Sequence, residues 1–483
     1  MRPVVPGAHR HNSQLKGRAA SRDRGAPKKP MASTVFDSAI FRDAFAAADM
    51  RQIFSEAETV ARYVEVEVAL AQAEARLGLI PQPAADSIKR LASAKDVDLD
   101  QLRQSTNVVG YPIVGLVAQL AKQCGDAGRY LHWGATTQDI MDSAAVLQIR
   151  AALAIVEADL AHIAHTLTGL ARTHRLTLMA GRTHLQHALP ITFGYKAAVW
   201  LSAIVRHRRR LAEIAPRVLV GQFAGAAGTL ASLGDKGVAV HDALMAELGL
   251  GAAGMPWHVG RDTMAETVSL LALITGSLAK IATDIMLMMQ TEVGEAFEPF
   301  EQGRGSSSTM PQKRNPIACE LIVAAARIVR QHAGLMLDAL AADHERATGP
   351  WHLEWMALPE AFLAAGAALK HTRAMLDGLV VEPERMRQNL DMTGGQIVAE
   401  AVMMALAEHT GRQQAHHIVA HASRAALANG EPLLAALERQ PDVTQHLDAA
   451  RLKALTDPAN YLGSALAMID RMLAAAEGLS GGP

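Results

Sequence analysis

Between Gly305 and Pro316 the chain reads GSSSTMPQKRNP, which sets four consecutive hydroxyl side chains, Ser306 to Thr309, just ahead of Met310, Lys313 and Asn315. A glycine-serine run ordinarily marks a flexible linker, but a linker has no use for a fixed Met-Pro or for Lys313 and Arg314 so close behind the serines. A serine removes a proton from carbon only if its hydroxyl is pre-activated and the resulting charge spreads into an adjacent carboxylate. A cation and an amide such as Lys313 and Asn315 would stabilise the enediolate so formed, in the manner of an oxyanion hole. Gly305 would let such a loop bend over its substrate and exclude water.

Three other segments are too polar for helix stripes. His132-Trp-Gly-Ala-Thr-Thr-Gln-Asp139 offers His132, Thr136, Thr137 and Gln138 as donors to a carboxylate, although Thr136 and Asp139 also suit a helix cap. Gly181-Arg-Thr-His-Leu-Gln-His-Ala-Leu-Pro190 carries Thr183, His184, Gln186 and His187 with no HExxH pattern and no carboxylate nearby, so no metal is expected. Gly221 to Gly237 is glycine-rich but lacks GxxxxGK[ST] and a preceding strand, so no nucleotide cofactor is expected either.

The elements that must position these segments read as helix after helix from about Phe36. Val146, Ile149, Leu153, Val156, Leu160, Ile163, Leu167 and Leu170 step by three and four, as do most positions from Val268 through Met288. Single apolar stripes sustained over roughly six turns suit a bundle of nearly parallel helices, and no run of alternating β-branched residues predicts a sheet. The fold class expected is all-α. Hydrophobic residues make up 50% of 483 positions, and 47 basic against 48 acidic side chains leave little net charge, which argues against nucleic acid as a partner. Cys124 and Cys319 are too few and too far apart for a disulfide scaffold, and a reducing, cytoplasmic setting fits them. No apolar run is expected to reach the roughly 20 residues that cross a bilayer, so no membrane partner is expected. Residues 1–31 read as a disordered basic tail, 32–140 as an N-terminal helical domain, 141–384 as a central bundle carrying the loop 303–316, and 385–483 as a C-terminal helical domain.

With these segments in this order on a helical background, the chain resembles the fumarase/aspartase superfamily, whose signature loop has the form GSSxMPxKxNP. Here Ser307-Ser-Thr-Met-Pro-Gln-Lys-Arg-Asn-Pro316 carries the match, with Ser306 where glycine is usual. The resemblance implies a three-domain subunit, a homotetramer with a twenty-helix core, and active sites each shared between three chains. It implies cofactor-free and metal-free chemistry on a di- or tricarboxylate, through an aci-carboxylate intermediate. By position, Ser307 is the implied base and His184 the implied acid. His132, Thr136, Thr137, Gln138, Thr183, Gln186, Ser308, Met310, Lys313, Asn315 and Arg346 are the implied substrate-binding residues.

The stretches FAAADMRQIFSEAETVARYVEVEVALAQAEARLGLIP, DHERATGPWHLEWMALPEAF and NLDMTGGQIVAEAVMMALAE are similar to the bacterial 3-carboxy-cis,cis-muconate cycloisomerase branch. His184, in a GRTH sequence, instead matches the adenylosuccinate lyase pattern. A C–N lyase or an epimerase of an aminodicarboxylate such as iminodisuccinate therefore stands as the alternative, with an inactive scaffold behind it.

Overall fold

The computed structural model describes residues 33–299, 310 and 312–480; the tail expected over 1–31 and the loop residues Ser306, Ser307 and Ser308 lie outside them. Among the described residues six helices exceed twenty residues: α1 (Glu56–Arg76), α2 (Thr137–Thr173), α3 (Phe193–Val218), α4 (Asp262–Met289), α5 (Ile317–Asp338) and α6 (Pro350–Asp377). The chain is all-α in class, as the periodicity predicts. Local chemistry fixes several helix starts. The Ser55 hydroxyl accepts from the Glu58 N–H, and Glu56 and Glu58 face the positive end of α1. Pro350 opens α6 where its missing N–H costs nothing.

Helix α2 has 37 residues, which makes it about 55 Å long. Its predicted stripe is the centre of the core: Val146, Ile149, Val156, Leu160, Ile163 and Leu167 are fully buried. Helices α3 and α6 pack against it, α4 packs on both of these, and α5 packs most extensively on α6 and α4. The bundle therefore has two ends. One gathers the start of α2, residues 221–225 after α3, and the starts of α4 and α6; the other gathers the end of α2, the start of α3, the end of α4 and the start of α5. Farther along, Val402, Leu406, Val419, Leu433, Val443 and Leu452 enclose a small core of their own.

Two expectations are corrected. Strands do occur: β1 (Leu178–Thr183) pairs antiparallel with β2 (Gln186–Thr192), and Ala296–Phe297 pairs with Val380–Val381. Both sheets are two-stranded; β1 and β2 do not alternate regularly between buried and exposed positions, and the second pair has only two residues in each strand. Helix α4 is also long and apolar enough by composition to cross a membrane, although Thr, Ser and Gly interrupt its aliphatic residues and leave no unbroken apolar run. Its face Val268, Leu271, Ile274, Leu278, Ile281 and Ile285 is buried within the bundle.

Candidate active site

At the first end, Thr136 is the residue before α2, and its backbone N–H donates to Asp139 Oδ2 at 2.9 Å. Asp139 is fully buried and also accepts from the N–H groups of Ala224 and Gly225, both at 2.9 Å, while His258 Nε2 lies 2.7 Å from Oδ1. Its role is structural: it pins the 221–225 segment to the start of α2. Gln138 is equally buried and donates to the His258 carbonyl at 2.9 Å, so it holds the wall of the site and faces no solvent. Thr136 and Thr137 remain partly exposed. Arg346 comes to the same end, donating to the Ala226 carbonyl at 3.1 Å.

His132 sits in the left-handed region with φ 57°, uncommon for a residue with a side chain. Its Nδ1 lies 2.6 Å from Oε1 of Glu67, a carboxylate of α1 with no exposed surface. Burial opposes a charge on this ring, but the hydrogen bond to Glu67, the charge of Glu67 and that of Asp139 together lift its pKa above the ordinary histidine value. Glu67 was not singled out by motif reading. The signal was present in the stripe Val60, Val64, Glu67, Ala71, Glu74, where two acids occupy core positions of α1.

Beside this region Arg261, the residue before α4, is buried between Asp142 of α2 and Glu354 of α6. Its Nη1 lies 2.8 Å from Asp142 Oδ2, its Nε 2.8 Å from Glu354 Oε1, and Nη2 also bonds Glu354. A cavity of about 400 Å³ opens here, lined by Tyr63, Met141, Asp142, Arg261, Trp351 and Trp355 among others. Burial and the charge of Asp142 push the Tyr63 phenol up to about 12.

The other candidates are at the far end. His184 stands with Leu185 in the two-residue loop joining β1 to β2, at φ 51° and 64°, the left-handed pair of a type I′ turn. Thr183, His184 and Gln186 are exposed. Below the turn Arg182 forms a two-pronged pair with the buried Glu295, at 2.8 and 2.7 Å, and Asn389 donates to the same carboxylate at 2.8 Å. Glu298 accepts from the Ala318 and Cys319 N–H groups at the start of α5, at 3.1 and 2.7 Å. Lys313 and Asn315, just ahead of α5, are exposed and half-buried, and Met310 is exposed; the Lys313 N–H donates to the Met310 carbonyl at 3.1 Å. Hairpin and loop thus share one end. Cys319 is buried against Met375, and burial pushes its thiol well above the ordinary range, which leaves it a packing residue.

One chain therefore brings together His132, Thr136, Thr137, Gln138 and Arg346, and separately His184, Thr183, Gln186, Met310, Lys313 and Asn315. The length of the bundle lies between the two groups.

A long-helix lyase with polar segments at the bundle ends is the class these features define. A family model described as Lyase matches residues 42–330, and one described as Adenylosuccinate lyase C-terminus matches 395–472. The chain belongs to this lyase family, the fumarase/aspartase superfamily, and is an enzyme of it. It is 45% identical to 3-carboxy-cis,cis-muconate cycloisomerase from Pseudomonas aeruginosa, over 90% of this chain and 96% of that one. It is 48% identical to Trans-aconitate decarboxylase 1 from Mycosarcoma maydis, over 89% and 88%. The crystal structure of 3-carboxy-cis,cis-muconate lactonizing enzyme from Pseudomonas putida superposes with a TM-score of 0.88 at 42% identity, covering 92% of this chain and all of that one.

Proposed function

We propose that the protein is a cycloisomerase-like enzyme acting on an unsaturated tricarboxylate, by moving a proton on the carbon next to a carboxylate. The observation that supports this most is that two relatives, similar over about nine-tenths of this chain, are both named for unsaturated tricarboxylates, 3-carboxymuconate and trans-aconitate. In the elimination direction Ser307 takes a proton from the carbon beside a carboxylate and the charge passes into an aci-carboxylate held by Lys313 and Asn315. His184 gives a proton to the group that leaves the neighbouring carbon. In the ring-closing direction a carboxylate oxygen adds to the double bond and Ser307 returns a proton to carbon. His132, Thr136, Thr137, Gln138, Thr183, Gln186, Ser308, Met310 and Arg346 bind and shape the remaining carboxylates, directly or, as with the buried Gln138, by holding the wall.

Because the two groups of residues stand at opposite ends of the bundle, a complete site takes them from different chains of a homotetramer. Helix α4 favours the same reading: only 44% of its most apolar window is buried within one chain, leaving Leu273 and Leu287 for another copy to cover.

The test is to incubate purified enzyme with 3-carboxymuconate and follow loss of the conjugated-diene absorbance. Ser307→Ala should lower that rate by at least about 10³-fold with the assembly intact, and His184→Ala by about 10²–10⁴-fold. An unchanged diene signal rejects the cycloisomerase reading, and full activity in Ser307→Ala rejects the base. The similarity to the decarboxylase favours a second reading, which trans-aconitate in parallel distinguishes by release of CO₂.

A further inference from the structure

Three features outside the loop chemistry stand out: the aromatic-lined cavity, the Arg261 clamp and the buried acids of α1. The last carries an inference. Glu67 and Glu74 lie two turns apart on the core stripe of α1, and both are fully buried. Oε2 of Glu67 and both carboxyl oxygens of Glu74 have no hydrogen-bond partner among the described residues. Two unscreened carboxylates in one such place would repel strongly. Glu74 avoids this by staying neutral: burial, reinforced by the charge of Glu67, pushes it up to about 9. The partner of Glu67 is His132 Nδ1, 2.6 Å from its Oε1.

We propose that Glu67 is a positioning residue of the active site, holding the His132 ring with Nδ1–H turned inward and Nε2–H offered outward as the donor to a substrate carboxylate. The proposal rests on the reading that His132 lines the substrate site. Three observations support it. The side chain of Glu67 is inaccessible while that of His132 is 23% exposed, so the pair has an inner and an outer member. His132 Nε2 makes no hydrogen bond among the described residues, and the left-handed backbone at this residue is the kind of strain that collects at functional positions. The charges that bear on the ring are all negative, Glu67 from α1 and Asp139 from the first turn of α2. Lys236, from the 231–236 turn that also packs near α1, spends its ammonium on the Leu77 carbonyl. A buried carboxylate at one ring nitrogen favours the doubly protonated histidine, and only that form carries an outward Nε2–H as well as the inward Nδ1–H.

The experiment compares the wild-type enzyme with Glu67→Gln, which keeps an acceptor for Nδ1 but removes the charge. In ¹³C-histidine NMR, with the His132 resonance assigned by its loss in His132→Ala, the His132 titration midpoint should fall by about one pH unit or more in Glu67→Gln. An unmoved midpoint overturns the proposal whatever the enzyme's substrate is. In kinetics with the tricarboxylate that is turned over, Glu67→Gln should raise KM about tenfold and change kcat less than about threefold, with the KM effect growing above pH 6.5. The double variant with His132→Ala should be no worse than His132→Ala alone. Equal losses in kcat and KM, or additive losses, mark a merely structural pair and overturn the positioning role. If His132→Ala itself leaves KM unchanged while the midpoint still moves, the placement of His132 at the substrate fails and the coupling of the pair stands.

Discussion

Glu74 shows how much a single buried acid shapes the pH response of this protein. Above the ordinary carboxylate pKa the unfolded chain releases the Glu74 proton, whereas the folded chain keeps it until about pH 9. The unfolded state then binds fewer protons, so stability falls as pH rises through the window between those values. Glu74→Gln mimics the neutral acid without offering a proton to lose. It should leave stability near that of the wild type at pH 5 and raise it by about 1–3 kcal/mol at pH 8. Thermal denaturation at the two pH values and matched protein concentration measures this, and an equal change at both would show that Glu74 is not held neutral. His207 responds in the opposite sense. Burial, aided by Arg210 and Arg206, pushes it down to about 4, so its contribution is lost as pH falls below the ordinary histidine value.

At the scale of elements, Arg261 ties three helices together at one end of the bundle, reaching Asp142 on α2 and Glu354 on α6 from the start of α4. All three side chains are almost wholly buried, so removing the cation alone leaves two uncompensated carboxylates. Arg261→Met should cost about 3–5 kcal/mol, and replacing Asp142 and Glu354 by leucine in the same chain should recover most of it. Additive losses in the triple variant, read as Tm, would show that shape and not charge pairing holds this corner. Such a clamp is not legible in sequence, because its members are 119 and 93 residues from Arg261 and no spacing rule joins them. The long helices were legible, since the stripe from Val146 to Leu170 needs only a period to be read. The β1–β2 turn was not: its central residues are His184 and Leu185 instead of the Asn-Gly pair that signals a tight hairpin. The polar segments proposed for the chemistry were visible by residue type, but Glu67 was hidden within an apolar stripe.

For the whole molecule, the decisive feature is the distance between the two groups of candidate residues. Helix α2, about 55 Å long, has Thr136 and His132 at its start and leads into the hairpin of His184 at its end. No hinge in the described chain folds one end onto the other, because α3 and α6 pack along α2, α4 packs on both of them, and all share one core. If a site draws on both groups, each chain supplies half-sites to two different centres, and a defect in one group can be met by a neighbour with a sound copy. His184→Ala and His132→Ala should each be poorly active alone. Unfolded together and reassembled in equal amounts, they should regain activity at roughly a quarter of the sites by random pairing of chains. The same proteins mixed without exchange of subunits should regain none. If the reassembled mixture stays as inactive as its components while sizing shows hybrid oligomers, the two groups do not serve one centre, and the chemistry must lie at a single end of the bundle.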